Sequence, residues 1–337
     1  MLLTVSVPNA PTVMTAGEAG AGPAAAPGRP LLLAVLGAAC ISCSAILVTL
    51  AGTPAATTAF FRCGLALPLL AALAWRERRR LGLRDRRSRL TAAGAGLLLG
   101  VDLVLWNHSI PEVGAGVATV LGNLQVLFVA LAAWVLLGER PRRAFLTALP
   151  VVLAGVVLVS GLADRGPAAG HALAGIGYGL SASVAYAGFL LIFRQSAGRA
   201  GPAGPARIAG PLADATAGAT VAALVLGLAF GGFSLKLSGA AFGWLLLLSF
   251  SSQTVGWLLI TSSLPRLPAA VSSLLLLLQP AGSLVLADVI LGERPALLQV
   301  AGAAAVCGGI LAANGALSGV RRLGRGPAAD PEGPLSP

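Results

Sequence analysis

Leu137-Gly138-Glu139-Arg140-Pro141 recurs as Leu291-Gly292-Glu293-Arg294-Pro295, 154 residues further along the chain. Carried outward without a gap, the same offset pairs Gln125 with Gln279, Gly155 with Gly309, Gly161 with Gly315, Ser109 with Ser263 and Pro111 with Pro265. From Val113 onward 15 of 49 aligned pairs are identical. The polar, glycine and proline matches carry most of the weight, because Leu, Val and Ala coincide often by composition alone. The sequence is therefore a duplicated unit.

The unit is built for lipid. Of 337 residues, 56% are hydrophobic and 10% charged, with a mean hydropathy of +0.87. Soluble domains carry about 25% charge and cannot hide this much apolar surface in one core. A cytoplasmic enzyme is thereby excluded. The 44 glycines and 22 prolines lie within apolar stretches and show no collagen-like period, which argues against disorder. A hydrocarbon core about 30 Å thick needs about 20 apolar residues per helix. Ten stretches qualify: 31–50, 54–74, 90–110, 114–137, 144–163, 171–193, 209–230, 240–263, 267–291 and 297–317. The third and fourth are parted only by Ser109-Ile110-Pro111-Glu112, and the eighth and ninth by Ser263-Leu264-Pro265-Arg266, so each proline is expected to turn a tight helical hairpin. Residues 1–29 and 319–337 read as disordered tails, the first without the basic region of a signal peptide, and Met14 is an alternative start to Met1.

Five spans per unit is an odd number, so the second copy must enter the membrane from the opposite side. The charges agree. Of the 23 basic residues 22 are arginine, gathered in short blocks between apolar runs, which speaks for topology signals and against a nucleic-acid face. With the N-terminus placed in the cytoplasm, nineteen arginines fall inside, eight of them between Arg76 and Arg89, and three basic residues, Arg165, Lys236 and Arg294, fall outside. Arg142 and Arg143 follow the first pentapeptide, whereas Ala296 and Leu297 follow the second; Glu112 is matched by Arg266. Basic character follows the membrane side and not the repeat position. The expected fold is an all-α integral membrane protein of ten transmembrane helices in two inverted five-helix repeats, 30–165 and 170–318, with both termini cytoplasmic in the plasma membrane. Inverted halves can exchange conformations at little net energy and so open a central cavity to either side, the logic of a carrier.

Two Ala-rich units, a helix ending in Leu-Gly-Glu-Arg-Pro in each, and a Gly-rich helix after it (Gly155 and Gly161; Gly302, Gly308, Gly309 and Gly315) resemble the EamA branch of the drug/metabolite transporter superfamily. The resemblance spans about residues 30–318. It implies two inverted five-helix bundles and export or exchange of small metabolites such as amino acids. Many members place an acidic residue and a proline in the helix before the pentapeptide; here the pairs are Gln125-Val126 and Gln279-Pro280, which puts carboxylate-based proton coupling there in doubt.

Charged groups at helix centres cost about 2.5–3.5 kcal/mol on insertion scales, so those present should face protein or water. Asp102 shares a helical face with Trp106 and Ser109, a face able to hold an amine and stack an apolar group, or else one that packs a hydrogen-bonded Asp. Arg62, the one basic residue inside a span, is a charge partner for Asp102 or a substrate carboxylate, or snorkels to the surface. Gln125 and Gln279 occupy equivalent positions and either face each other across the pseudo-axis or bond between helices. Ser272, Gln279 and Ser283 form a stripe, and Gln253 lies in the polar run Ser251–Thr254, followed by Trp257. The substrate-binding set expected is Asp102, Trp106, Gln125, Gln253, Trp257, Gln279 and Ser283, with Arg62 as charge partner. His108 reads as interfacial, Asp214 and Asp288 as solvated, and Glu139 and Glu293 as ion pairs or helix-end caps.

Cys40, Cys43, Cys63 and Cys307 read as buried packers without metal-ligand spacing, and no cofactor or metal is expected. Gly96 to Gly100 and Gly175 to Gly179 have the spacing of close helix contacts. The partners expected are a small-molecule substrate and the lipid bilayer, with a homodimer left open and no nucleic acid. The competing readings are a non-transporting sensor or assembly subunit and a membrane-embedded enzyme.

Overall fold

The computed structural model describes residues 28–137, 143–159, 169–196, 207–263, 266–267 and 269–313. Both tails, the first pentapeptide from Gly138 to Pro141, and Pro265 of the second hairpin lie outside them. The described residues are helical without a strand. In order they form α1 (Gly28–Ser42), α2 (Ser44–Ala51), α3 (Ala55–Gly64), α4 (Leu67–Leu81), α5 (Arg86–Val113), α6 (Ala115–Gly122), α7 (Gln125–Leu137), α8 (Arg143–Val159), α9 (Ala169–Ser196), α10 (Ala209–Phe230), α11 (Gly239–Leu248), α12 (Trp257–Ser263), α13 (Ala269–Leu286) and α14 (Leu297–Ala313). Seven continuous or gently broken rods are long and apolar enough to cross a bilayer: Arg29–Ala51, Ala55–Leu81, Arg86–Val113, Ala115–Ala132, Ala172–Ser196, Ala209–Phe230 and Gly239–Ser263. Three more, Arg143–Val159, Leu275–Leu291 and Leu297–Ala312, are apolar but shorter. The chain is a multi-pass membrane protein.

Polar side chains stand where helices begin and end. Asp85 accepts from the Arg87 amide at the start of α5, and Ser238 from the Ala241 amide at the start of α11. The start of α10 has no such residue of its own. Glu77, from α4, reaches across instead, accepting from the Ile208 and Ala209 amides at 2.8 Å each and from Gly210 at 3.1 Å. Beside it Arg84, in the α4–α5 loop, pairs with Asp214 at 2.7 Å, so Asp214 ties α10 to that loop rather than being the solvated group expected. Partial burial lowers the Arg84 pKa, and the Asp214 charge pushes it back up.

The two copies interleave in packing. α5 lies against α9 and α10, α8 against α14, α1 against α13, and α2 against α11. Small residues set the α5–α10 spacing: a Cβ on Gly96 would run into the Ala215 carbonyl, and one on Gly218 into that of Ala93. Gly175 and Gly179 pack in the same way, against Val113 and Leu121. Of the cysteines only Cys63 is fully buried; the other three are partly exposed.

The first hairpin departs from expectation. Pro111 sits inside the last turn of α5, and the chain reverses at Gly114, where φ is +85°. A proline near a helix end removes only one ladder bond, whereas a positive φ ends the helix outright. The turn is fastened by Glu293, whose two carboxylate oxygens accept from the Ala115 amide at 3.0 and 3.1 Å. That carboxylate, from the second pentapeptide, is a helix cap for α6 in the other copy of the unit.

Candidate functional site

Four of the rods are interrupted near their middles. α1 gives way to α2 at Cys43, α3 to α4 at Leu65 and Ala66, and α6 to α7 at Asn123 and Leu124. Between α11 and α12 the backbone widens into a π-helical stretch, Ser249–Gly256, in which Thr254 Oγ1 donates back to the Ser249 carbonyl at 3.0 Å. Irregular backbone inside a membrane bundle is tolerated where it is buried in protein or lines a polar cavity.

Such a cavity lies among these breaks. It measures about 130 Å³ and its polar wall consists of Ser44, Arg62, Asp102, Thr119, Asn123, Gln125 and Gln279. Trp106, Tyr186 and Trp257 supply the aromatic wall, with the Tyr186 and Trp257 rings 6.2 Å apart, edge to face. Arg62, Asp102 and Gln125 each stand about two turns or more from either end of their rods, and Gln279 about as far from either end of α13, so the cavity is remote from both ends of the bundle.

Arg62 is 4% exposed and does not snorkel. Its Nε donates to Gln253 Oε1 at 3.0 Å and its Nη1 to Ser44 Oγ at 2.9 Å, while the guanidinium carbon sits 5.9 Å from the Trp106 ring centroid. Asp102 is 9% exposed, and among the described residues its carboxylate makes no hydrogen bond and no ion pair. Gln125 Oε1 is sealed from solvent without a partner. The cavity thus combines a guanidinium, a carboxyl group and three amides with an aromatic face, a set able to hold a small polar group beside an apolar one.

Six of the eight residues expected at the site meet here: Arg62, Asp102, Trp106, Gln125, Trp257 and Gln279. Gln253 stands behind the wall. It is fully buried, bonded to Arg62 on one side and donating to Thr216 Oγ1 at 3.3 Å on the other. Ser283 also stands back, 3.1 Å from the Thr119 hydroxyl, which does reach the cavity. Ser109 turns away from Asp102 and donates to the Gly175 carbonyl at 2.8 Å. His108 is exposed and stacks on Tyr178 at 5.3 Å. Asp288 is exposed, and the side chain of Glu139 lies outside the described residues. Ser44, Thr119, Asn123 and Tyr186 were not anticipated. Tyr186, one of only two tyrosines and placed deep in an apolar span, carried a signal that composition offered.

A second, wider pocket of about 800 Å³ opens at the end of the bundle that carries Thr53, Pro111, Gly231 and Glu293. Its walls at Val48, Asn107 and Val117 lie within about one turn of Ser44, Trp106 and Thr119 in the central cavity.

The model of the EamA-like transporter family matches this chain twice, over residues 28–161 and 173–315. No curated protein matches it. Twenty-two solved chains do. One of them, described only as a protein crystal structure, is 16% identical over 86% of this chain and 98% of its own, with a TM-score of 0.59. At that identity the likeness is one of fold alone.

Proposed function

Since this chain belongs to the EamA-like transporter family, we propose that it is a secondary transporter that exports or exchanges small amphipathic, amino-acid-like metabolites by alternating access. The observation that carries the reading is the polar, aromatic-walled cavity far from both ends of the bundle, where Arg62, Asp102, Gln125 and Gln279 converge. A non-transporting assembly subunit would gain nothing from buried charges there, because each costs stability unless it meets a partner.

In this reading all ten apolar stretches cross the plasma membrane, both termini are cytoplasmic, and the two copies are related by a two-fold axis in the bilayer plane. The distribution of nineteen basic residues against three supports that orientation. The two copies rock about the cavity. The wide pocket next to Asn107 and Glu293 is the vestibule on the outer side, and the broken middles of α1–α2, α3–α4 and α6–α7 are the points at which the rods bend. Asp102 attracts an ammonium group, while Trp106, Tyr186 and Trp257 receive the apolar part of the solute.

The test is counterflow. Purified protein in liposomes preloaded with unlabelled amino acids is exposed to a labelled amino-acid mixture. Transient accumulation of unmodified label is expected. Absence of accumulation, or recovery of a chemically altered product, would overturn the reading. Gln279→Leu is expected to abolish flux without lowering the amount of protein inserted; undiminished flux would remove Gln279 from the site.

A further inference from the structure

Arg62 is a buried cation whose hydrogen-bond partners among the described residues are all neutral. Gln253 Oε1 and Ser44 Oγ accept two of its five N–H bonds, and among the described residues no carboxylate comes within ion-pair distance. Among the described residues Nη2 has no acceptor, yet it is not sealed from solvent, so it opens on the cavity that Arg62 lines. Neutral acceptors orient a guanidinium but do not cancel its charge, and an uncancelled charge away from water is costly. The orientation is itself enforced. Gln253 is fully buried, and its amide is fixed by donating to Thr216 Oγ1, which leaves Oε1 facing Arg62. Asp102 lines the same cavity and stays outside ion-pair distance of Arg62, so neither group closes the other off.

We propose that Gln253 and Ser44 are positioning residues that aim the free edge of Arg62 into the cavity, making it the seat of a carboxylate in the transported solute. The site then selects zwitterions, with the solute carboxylate on Arg62 and its ammonium on Asp102. This rests on the carrier reading above and adds to it which side chain holds the solute carboxylate and which residues aim that side chain. Had the cavity been made for amines alone, a second carboxylate in place of Gln253 would have closed Arg62 off as an internal ion pair.

That substitution is also the experiment. Counterflow is measured in liposomes with two labelled probes, an amino-acid mixture and the matching mixture of decarboxylated amines. The wild-type chain is expected to accumulate the amino acids at least about tenfold faster than the amines, the ratio set by one charge-assisted hydrogen-bonded contact. Gln253→Glu keeps the side-chain shape and sets a carboxylate against Arg62. It is expected to raise KM for the amino acids about tenfold, to leave kcat within about twofold, and to remove most of the preference over amines. Ser44→Ala, which leaves the charge alone, should change KM by no more than a few fold.

A role confined to holding the fold would lower the amount of active protein without altering KM or the preference, and that result would overturn the proposal. So would a wild-type chain that carries amines as readily as amino acids, an outcome that needs no variant to fold. Accumulation of neither mixture would bring down the carrier reading, and this proposal with it.

Discussion

Glu77→Ala removes three hydrogen bonds at once from the start of α10, where the sequence provides no capping residue of its own: Ile208 stands at the N-cap with no side-chain bond to give. An ordinary N-cap is worth about 1 kcal/mol, and a carboxylate at a partly buried helix start adds about 1 kcal/mol through the dipole. A third amide left without its acceptor brings the loss to about 2–3 kcal/mol, tempered by water entering the neighbouring pocket. The cost is local, so hydrogen exchange is the assay. Amides at Ile208, Ala209 and Gly210 are expected to exchange about 30- to 150-fold faster in the variant, the equivalent of that energy. Glu77→Gln keeps an acceptor but gives up the charge, and it should fall between wild type and Ala. Unchanged exchange over residues 207–212 in Glu77→Ala, within about threefold, would refute the assignment of this carboxylate as the cap of α10.

Other outcomes follow from the packing. Gly96→Val and Gly218→Val each drive a side chain into a carbonyl of the facing helix, and both should cost more than the usual 1–3 kcal/mol of an overpacked site, read as loss of folded protein after detergent extraction. Normal yields would place α5 and α10 further apart than described. Glu293→Ala should loosen the Gly114 turn, raising exchange at Ala115 by about tenfold with little effect at the start of α10. Equal exchange in variant and wild type would show that the turn does not depend on the carboxylate.

Much of the architecture could be read in advance because bilayer physics is blunt. Helices lie within each of the ten apolar stretches, since a backbone in lipid has almost no alternative to the helix. Less visible were the places where those helices fail. Cys43 and Asn123 are neither glycine nor proline, and a break there arises from what packs alongside, which a single chain read in order does not reveal. The widened turn at Ser249–Gly256 leaves no compositional trace beyond a run of polar residues.

The site divides in the same way. Asp102 and Arg62 stood out because charge is rare in a span, and Gln125 and Gln279 because the repeat pairs them. Gln253 and Ser283 were equally conspicuous as polar residues, yet hydrophobic patterning does not separate a group facing a cavity from one bracing its wall. Ser109 shows the limit of helical spacing: it shares a face with Asp102, but two turns further along that face α9 has closed over it. Tyr186 arrives from α9 by tertiary contact alone.

The π-helical stretch gives its rod one surplus residue between fixed ends. A surplus of this kind can travel, as a wrinkle slides along a carpet, and every residue it passes is turned by about 100° about the rod while the ends stay in place. Trp257 lies just beyond the wrinkle and Gln253 within it. Moving it would turn Trp257 and Gln253 together, so the aromatic wall and the brace behind Arg62 share one short stretch of backbone.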